Sequence, residues 1–237
     1  MSKKSVLALC LAALLPLLSY YIVKTASEGA VHMPPRYFPD TVINQVVNGK
    51  KVSDTVWHTL DNITLTNQLG DEVSLDDIKG NIIVADYFFT RCPSICPTLT
   101  QNMKELQDAM KMKDLRTKLN GSFVRFISFT VDPERDSAKA LKKYADKFHV
   151  NHDTWWFLTG PKDKIYNYAL DELKLGLQDG KGVDSNFFHT QKFVLIDRDR
   201  VVRGYYDGLD SASMSKLAED ITLLILEKDK KKKTSFF

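Results

Sequence analysis

The chain has 237 residues, a size that suits one well-buried domain with extensions. Hydrophobic residues make up 43% and charged residues 27%, which places it among ordinary globular proteins rather than disordered or fibrous ones. The net charge is only +3, and Lys228, Lys230, Lys231, Lys232 and Lys233 stand in one C-terminal run, so the rest is close to neutral and a dedicated nucleic-acid-binding surface is argued against. That run reads as a solvated basic tail over 228–237.

Ser5 to Val23 carries no charge. As a helix it would be about 28 Å long, close to the hydrocarbon thickness of a bilayer. Lys3 and Lys4 precede it, Lys24 follows, and Tyr20 and Tyr21 sit where interfacial aromatics belong. Residues 1–25 are predicted to be an N-terminal transmembrane anchor or a cleaved signal segment; the run is longer than a signal-peptide core and no Ala-x-Ala cleavage site follows, which favours the anchor. Cys10 has too short an apolar run before it for a lipoprotein site and reads as one more membrane residue. The basic flank puts the N-terminus on the cytoplasmic side and the domain outside. The absence of an Arg- and Ser-rich transit peptide points to a bacterium.

Residues 26–57 contain Pro34, Pro35 and Pro39 and are predicted to be a linker with one edge strand near Thr41–Val47. Ile63 and Leu65 alternate before the turn signal Gly70-Asp71, and Val73–Ile78 reads as a short strand and turn. Ile82–Phe89 is an apolar run expected to be a buried strand. Pro97 suits a first helical turn, and Leu99, Met103, Leu106 and Met110 follow at helical spacing. Phe123–Val131 is a second strong strand, stopped by Asp132-Pro133. Ser137 caps a helix carrying Leu141, Tyr144 and Phe148. A strand at Trp155–Leu158, a helix over Lys162–Lys174, a hairpin of Lys192–Asp197 with Val201–Tyr206, and a helix from Ser211 or Ser213 complete the chain. This order predicts an α/β domain over 58–227, a central mixed β-sheet flanked by helices, and the cysteine pair after the first long strand gives it a thioredoxin-like layout.

Cys92 and Cys96 are the strongest chemical signal. If Cys96 opens the helix, the helix N-terminus is expected to stabilise a thiolate there. Three readings stay open. A structural staple would close too short a loop to contribute much. A thiol–disulfide oxidoreductase usually uses Cys-x-x-Cys, one residue shorter than this spacing. A metal site would need a distant third ligand. His189, just before the strand Lys192–Asp197, is the best candidate, because in a thioredoxin-like sheet that loop lies beside the cysteine loop. His32, His58, His149 and His152 have no such topological reason and read as structural or solvated. Two thiolates and an imidazole suit Cu(I) or, with a weak fourth ligand, Cu(II). Zinc competes, but a closed zinc site normally has four protein ligands. Asp132-Pro133-Glu134-Arg135-Asp136 reads as strand termination plus helix capping.

Cys92-Pro93-x-x-Cys96-Pro97, then Val131-Asp132-Pro133-Glu134-Arg135-Asp136, and His189 ahead of Phe193-Val194-Leu195-Ile196-Asp197 together resemble the Sco/SenC family. The resemblance runs from about His58 to Ile225. It implies a membrane-anchored, thioredoxin-fold copper chaperone, not a turnover enzyme. Its copper ligands would be Cys92, Cys96 and His189. Its partner would be the copper-bearing subunit of cytochrome c oxidase, or other copper-transfer or thiol-redox proteins, on the periplasmic side of a bacterial inner membrane. The alternative is a membrane-anchored thiol–disulfide oxidoreductase acting through Cys92 and Cys96. A thiol peroxidase is the weakest reading, since only Arg91 near the cysteines suits peroxide activation.

Overall fold

The computed structural model describes residues 3–27, 32–47, 50–117, 123–178 and 190–234. It divides into two compact units, Met1–Met33 and Pro34–Phe237. The first holds one helix, α1 (Lys3–Ser27), with Pro16 inside it. Leu14, Leu15, Leu17, Leu18, Ile22 and Val23 are all more than half exposed. Among the described residues no helix is long and apolar enough to cross a membrane. The side chains of α1 are described only at Ala12 and from Leu14 to Thr25, which is the latter part of the apolar run.

In the second unit, β1 (Pro39–Val47) and β2 (Lys50–Trp57) pair antiparallel as a sheet of their own. The stretch expected to be a linker with one edge strand is therefore a hairpin. Asn48-Gly49, a dipeptide that favours tight hairpin turns, stands between the two strands in the sequence. A second small sheet pairs β3 (Thr64–Thr66) with β4 (Glu72–Ser74) around a turn where Gly70 takes φ +91. There Asn67 Oδ1 accepts from the Leu69 and Asp71 N–H groups at 2.8 and 2.9 Å, an Asx turn that needs no further support. A 3-10 turn, Leu75–Ile78, leads into the main sheet.

That sheet has five strands. At its centre lies β5 (Ile82–Phe88), buried at every position, as a strand apolar at every residue but Asp86 favours. After it come α2 (Cys96–Thr117), β6 (Val124–Thr130), α3 (Ala138–Lys147) and β7 (Trp155–Leu158). Then follow α4 (Lys162–Asn167), a π-helical turn (Tyr168–Glu172) and α5 (Leu175–Gln178). The chain ends with β8 (Lys192–Ile196), β9 (Val202–Asp207) and α6 (Ser211–Thr234). The strand order is β7-β6-β5-β8-β9, with β6 and β7 parallel to their neighbours and β8 and β9 antiparallel. Alternate residues of β5 enter different cores. Ile82, Val84 and Phe88 meet α2, α3 and α6, whereas Ile83, Ala85 and Tyr87 meet α4 and the segments that follow it. Ser137 caps α3 as predicted, accepting from the Ala140 N–H at 3.4 Å. α6 runs on to Thr234, so the backbone of the basic stretch is helical that far; Glu227, Asp229 and the lysines contain no helix breaker.

One buried cation fixes where the chain enters this unit. Arg203 on β9 is 3% exposed, and its Nε and Nη2 donate to the Pro34 carbonyl at 3.0 and 2.7 Å. Its Nη1 donates to Asp197 and Glu227 at 2.9 and 3.0 Å, so the charge is paired and its donors are used.

Close approach of β9 to α2 depends on Gly208. A Cβ there would stand 2.5 Å from Leu99 Cδ2 and 2.9 Å from the Phe193 ring, both in the closed core. Gly208→Ala is expected to lower the unfolding free energy by about 1–3 kcal/mol. Urea unfolding checks it, as a lower midpoint at unchanged slope.

Candidate metal centre

The loop bearing the cysteines leaves the sheet at a fixed point. The Val131 N–H donates to the Phe88 carbonyl at 2.8 Å, carrying the pairing of β5 with β6 to the last residue of the strand. Beyond it, the Thr90 N–H and hydroxyl donate to the two oxygens of Asp136 at 3.0 and 2.5 Å, and the Thr130 hydroxyl donates to Asp136 at 2.6 Å. Asp136 is fully buried. The five-residue acidic segment is thus more than strand termination and capping: Ser137 is the cap, and Asp136 reaches back to clamp the root of the cysteine loop. Capping reasoning missed it because the partner lies 46 residues upstream.

Cys92 and Cys96 are both free thiols, 7% and 3% exposed. The helix begins at Cys96, so its N–H has no partner within the helix and points at Cys92 Sγ, 3.5 Å away. The Ser94 hydroxyl stands 3.9 Å from the same sulfur. Burial acts to raise the Cys92 thiol. Hydrogen bonds from the Cys96 thiol, from the Cys96 and Ser94 N–H groups and from the Ser94 hydroxyl outweigh it and hold Cys92 below the usual thiol range. Cys96 goes the other way: burial first, then the hydrogen bond to Cys92, push it up to about 12. The expectation of a thiolate on Cys96 is therefore corrected. The helix N-terminus serves the sulfur ahead of it, while Cys96 itself turns into the apolar cluster with Phe88 and Leu99.

Behind the thiols lie polar groups to which the sequence assigned no chemical role. The Tyr144 hydroxyl is 2.9 Å from Thr100 Oγ1, and burial pushes its pKa up. Asp86, in the middle of β5, is 2% exposed, and burial raises its carboxyl from 3.8 to about 7, against a hydrogen bond from Ser128. A lone acid inside an apolar strand was the signal that could have found it.

The predicted third ligand, His189, lies outside the described residues, as do Phe187 and Phe188. The residues just after it are described. β8 runs antiparallel to β5, with Ala85 opposite Val194, so the chain before β8 approaches the sheet end from which the cysteine loop departs. The Gly208 N–H donates to the Gln191 carbonyl at 2.8 Å, and the Gly208 carbonyl accepts from Asn102 of α2 at 2.7 Å. The other histidines have separate surroundings. His58 sits between Asp40 and Glu172 at 3.4 and 3.3 Å, and His152 between Gln68 and Asp146 at 3.0 and 2.9 Å. His149 is exposed at the end of α3, and His32 is exposed in the first unit. Among the described residues no group of three or more His, Cys, Asp or Glu side chains is placed to hold a metal ion.

The family model for SCO1/SenC matches residues 57–225. The SCO1 protein homolog of Bacillus subtilis is 34% identical over 174 residues, 73% of this chain and 86% of that protein. A SCO1/SenC family lipoprotein from Bacillus anthracis superposes with a TM-score of 0.60 at 31% identity, covering 70% of this chain and 95% of that one. BsSco, a Sco family member with a disulfide switch, superposes at 0.58 with 33% identity, covering 70% and 92%. Bradyrhizobium japonicum ScoI, solved with copper bound, shares the fold at a TM-score of 0.53 and 24% identity, covering 70% and 99%.

The inequality of the two thiols is expected to appear in alkylation. At pH 8 iodoacetamide should label Cys92 at least about tenfold faster than Cys96, because only the thiolate reacts. Peptide mass spectrometry reads the site, and preferential labelling of Cys96 would contradict the geometry. Asp86 governs a pH dependence. Its folded pKa lies above its unfolded one, so the native chain keeps a proton that the unfolded chain has lost. Its contribution to stability therefore falls as pH rises from 3.8 through about 7. Asp86→Asn is expected to stabilise the protein by roughly 2–4 kcal/mol at pH 8 and by little near pH 4, measured by urea unfolding at both.

Proposed function

The chain belongs to the SCO1/SenC family, and from that premise we propose that it binds copper and delivers it to the copper A centre of cytochrome c oxidase during assembly. The observation that carries this reading is the thiol pair: two free sulfurs at the lip of a helix N-terminus, one of them already biased toward thiolate. Thiolate sulfur is the soft donor that Cu(I) prefers, and two such donors with an imidazole also accommodate Cu(II). We assign the imidazole to His189. The antiparallel course of β8 and the link from Gln191 through Gly208 to Asn102 support it, since Gln191 follows His189 by two residues and Asn102 follows Cys96 by six.

In this reading copper is cargo. Cys92 and Cys96 give up their protons as the ion enters, so affinity falls in acid. Cys92, held as the readier thiolate, makes the first bond. Cys96 closes the site from the apolar side, and its high pKa keeps the empty pair from carrying two negative charges. Release follows by ligand exchange with thiolates of the recipient subunit.

A second reading, thiol–disulfide exchange, has its own support in the same asymmetry. A lowered thiol in front of a raised one suits attack by Cys92 on a partner disulfide, then resolution by Cys96, which leaves the partner as a dithiol and this pair oxidised. It needs both cysteines and not His189. The disulfide switch of BsSco agrees with such a state in the family.

For α1 we propose a single-pass anchor in a bacterial inner membrane with the domain on the periplasmic side. The sequence has no charge between Ser5 and Val23, and its leucines, where described, stand exposed rather than packed.

The full-length protein in detergent should bind equimolar copper, with an intense sulfur-to-Cu(II) absorption band that Cys92→Ser and Cys96→Ser each abolish. His189→Ala should weaken binding on the order of 100-fold. Unchanged retention in the cysteine variants would sink the copper reading, and unchanged affinity in His189→Ala would remove that residue from the site.

A further inference from the structure

Asp86 interrupts an otherwise apolar strand. By the alternation of β5 it shares a face with Val84 and Phe88, the face that packs against Cys92, Cys96 and Tyr144. In the parallel register with β6 it stands opposite Ser128. The Trp155 indole N–H donates to Ser128 Oγ at 2.9 Å, which leaves the Ser128 hydroxyl proton free to point at the Asp86 carboxyl. One oxygen is thereby held. The other, Oδ1, is buried and has no hydrogen-bond partner among the described residues. Nor does Asp86 form an ion pair with any described Lys, Arg or His. Other buried charges here are treated differently: Asp136 accepts three hydrogen bonds, and Arg203 is fully paired. A buried acid left half-satisfied costs stability, and the fold could have placed a serine or valine there without that cost. Its charge is felt at the Cys96 thiol and the Tyr144 hydroxyl, both of which it helps to raise.

We propose that Asp86, in its carboxylate form, is a buried negative charge behind the thiol pair that makes the site favour the more positive of copper's two oxidation states. This rests on the reading of Cys92 and Cys96 as copper ligands. With both cysteines as thiolates, Cu(II) and the two sulfurs sum to zero charge, whereas Cu(I) and the same sulfurs leave one net negative charge. A carboxylate behind them repels the second arrangement more than the first, and the apolar filling contributed by Phe88 and Phe157 screens it poorly. The interconversion is a one-electron step, Cu(II) plus an electron from an external one-electron donor giving Cu(I), with no bond made or broken at Asp86. Reduction then loosens the ion, so that the site holds copper as Cu(II) and surrenders it more readily as Cu(I).

The test uses the full-length protein in detergent at pH 8, without oxygen, with Cu(I) and Cu(II) each supplied from chelator buffers. In Asp86→Asn, the preference for Cu(II) over Cu(I) should drop on the order of tenfold, the size expected for one unit charge acting across about 10 Å of protein. Most of the change should come from weaker Cu(II) binding, because the empty pair and the Cu(I) site each carry one net negative charge. A structural loosening would instead weaken both ions together, and that result, or an unchanged ratio, overturns the proposal. If Asp86→Asn does not fold, Ser128→Ala serves. It keeps the carboxyl but strips its donor, disfavouring the ionised form, and should shift the ratio in the same direction by a smaller factor; no shift there overturns the proposal as well. Failure of the copper reading itself shows separately. In that case Cys92→Ser with Asp86 intact binds both ions as tightly as the wild type, and the proposal falls with it.

Discussion

Burial of β5 on both faces is the constraint from which the rest of the second unit follows. A central strand closed above and below cannot shift without opening two cores at once, so the chain leaves it at Phe88 in a fixed position and direction. The cysteine loop inherits that precision. Asp136 extends it by two more residues, binding Thr90 with a carboxyl group whose hydrogen-bonding capacity is spent on the loop root and on Thr130. A loop pinned so close to its reactive residues keeps its two sulfurs at a defined separation while the rest of it faces solvent.

At the end of that loop, desolvation and hydrogen bonding compete, and the outcome differs between two identical side chains four residues apart. Cys92 lies where the helix N-terminus can point a donor at it, and hydrogen bonding wins. Cys96 lies one turn deeper, where the backbone hydrogen bond from Phe89 does not make up for the lost water, and burial wins. An unequal pair suits both readings of its chemistry, because a first attacking sulfur and a second closing sulfur are needed in metal capture and in disulfide exchange alike. Copper delivery and thiol reduction are therefore not rival designs at the level of these two residues. Only the third ligand separates them.

Around this pair the protein distributes buried charge unevenly. Arg203 far from the thiols and Asp136 beside their loop are fully partnered, as buried charges must be to avoid a heavy desolvation cost. Asp86 differs from both: one of its oxygens has no hydrogen-bond partner among the described residues, and it shares a face of β5 with the residues that pack against the sulfurs. Local rules are most often broken at functional sites, where a cost in stability is accepted for an effect on chemistry.

Most secondary elements were legible because their signals are local. The apolar run of β5, the helical spacing through Leu99, Met103 and Leu106, the Ser137 cap and the β8–β9 hairpin each depend on neighbours within a few residues. The β1–β2 hairpin was half seen: β1 was expected as an edge strand, whereas the polar β2 is signalled only by the Asn48-Gly49 ahead of it. The amino-acid sequence by itself determined the α/β alternation, the paired thiols and their position at a strand–loop–helix junction. Which sulfur ionises first, what Asp136 holds, and that an acid with an unpartnered oxygen lies behind the pair were decided only by tertiary structure. Each of these depends on burial and on partners tens of residues away, and free energies of desolvation belong to a folded environment rather than to any stretch of chain.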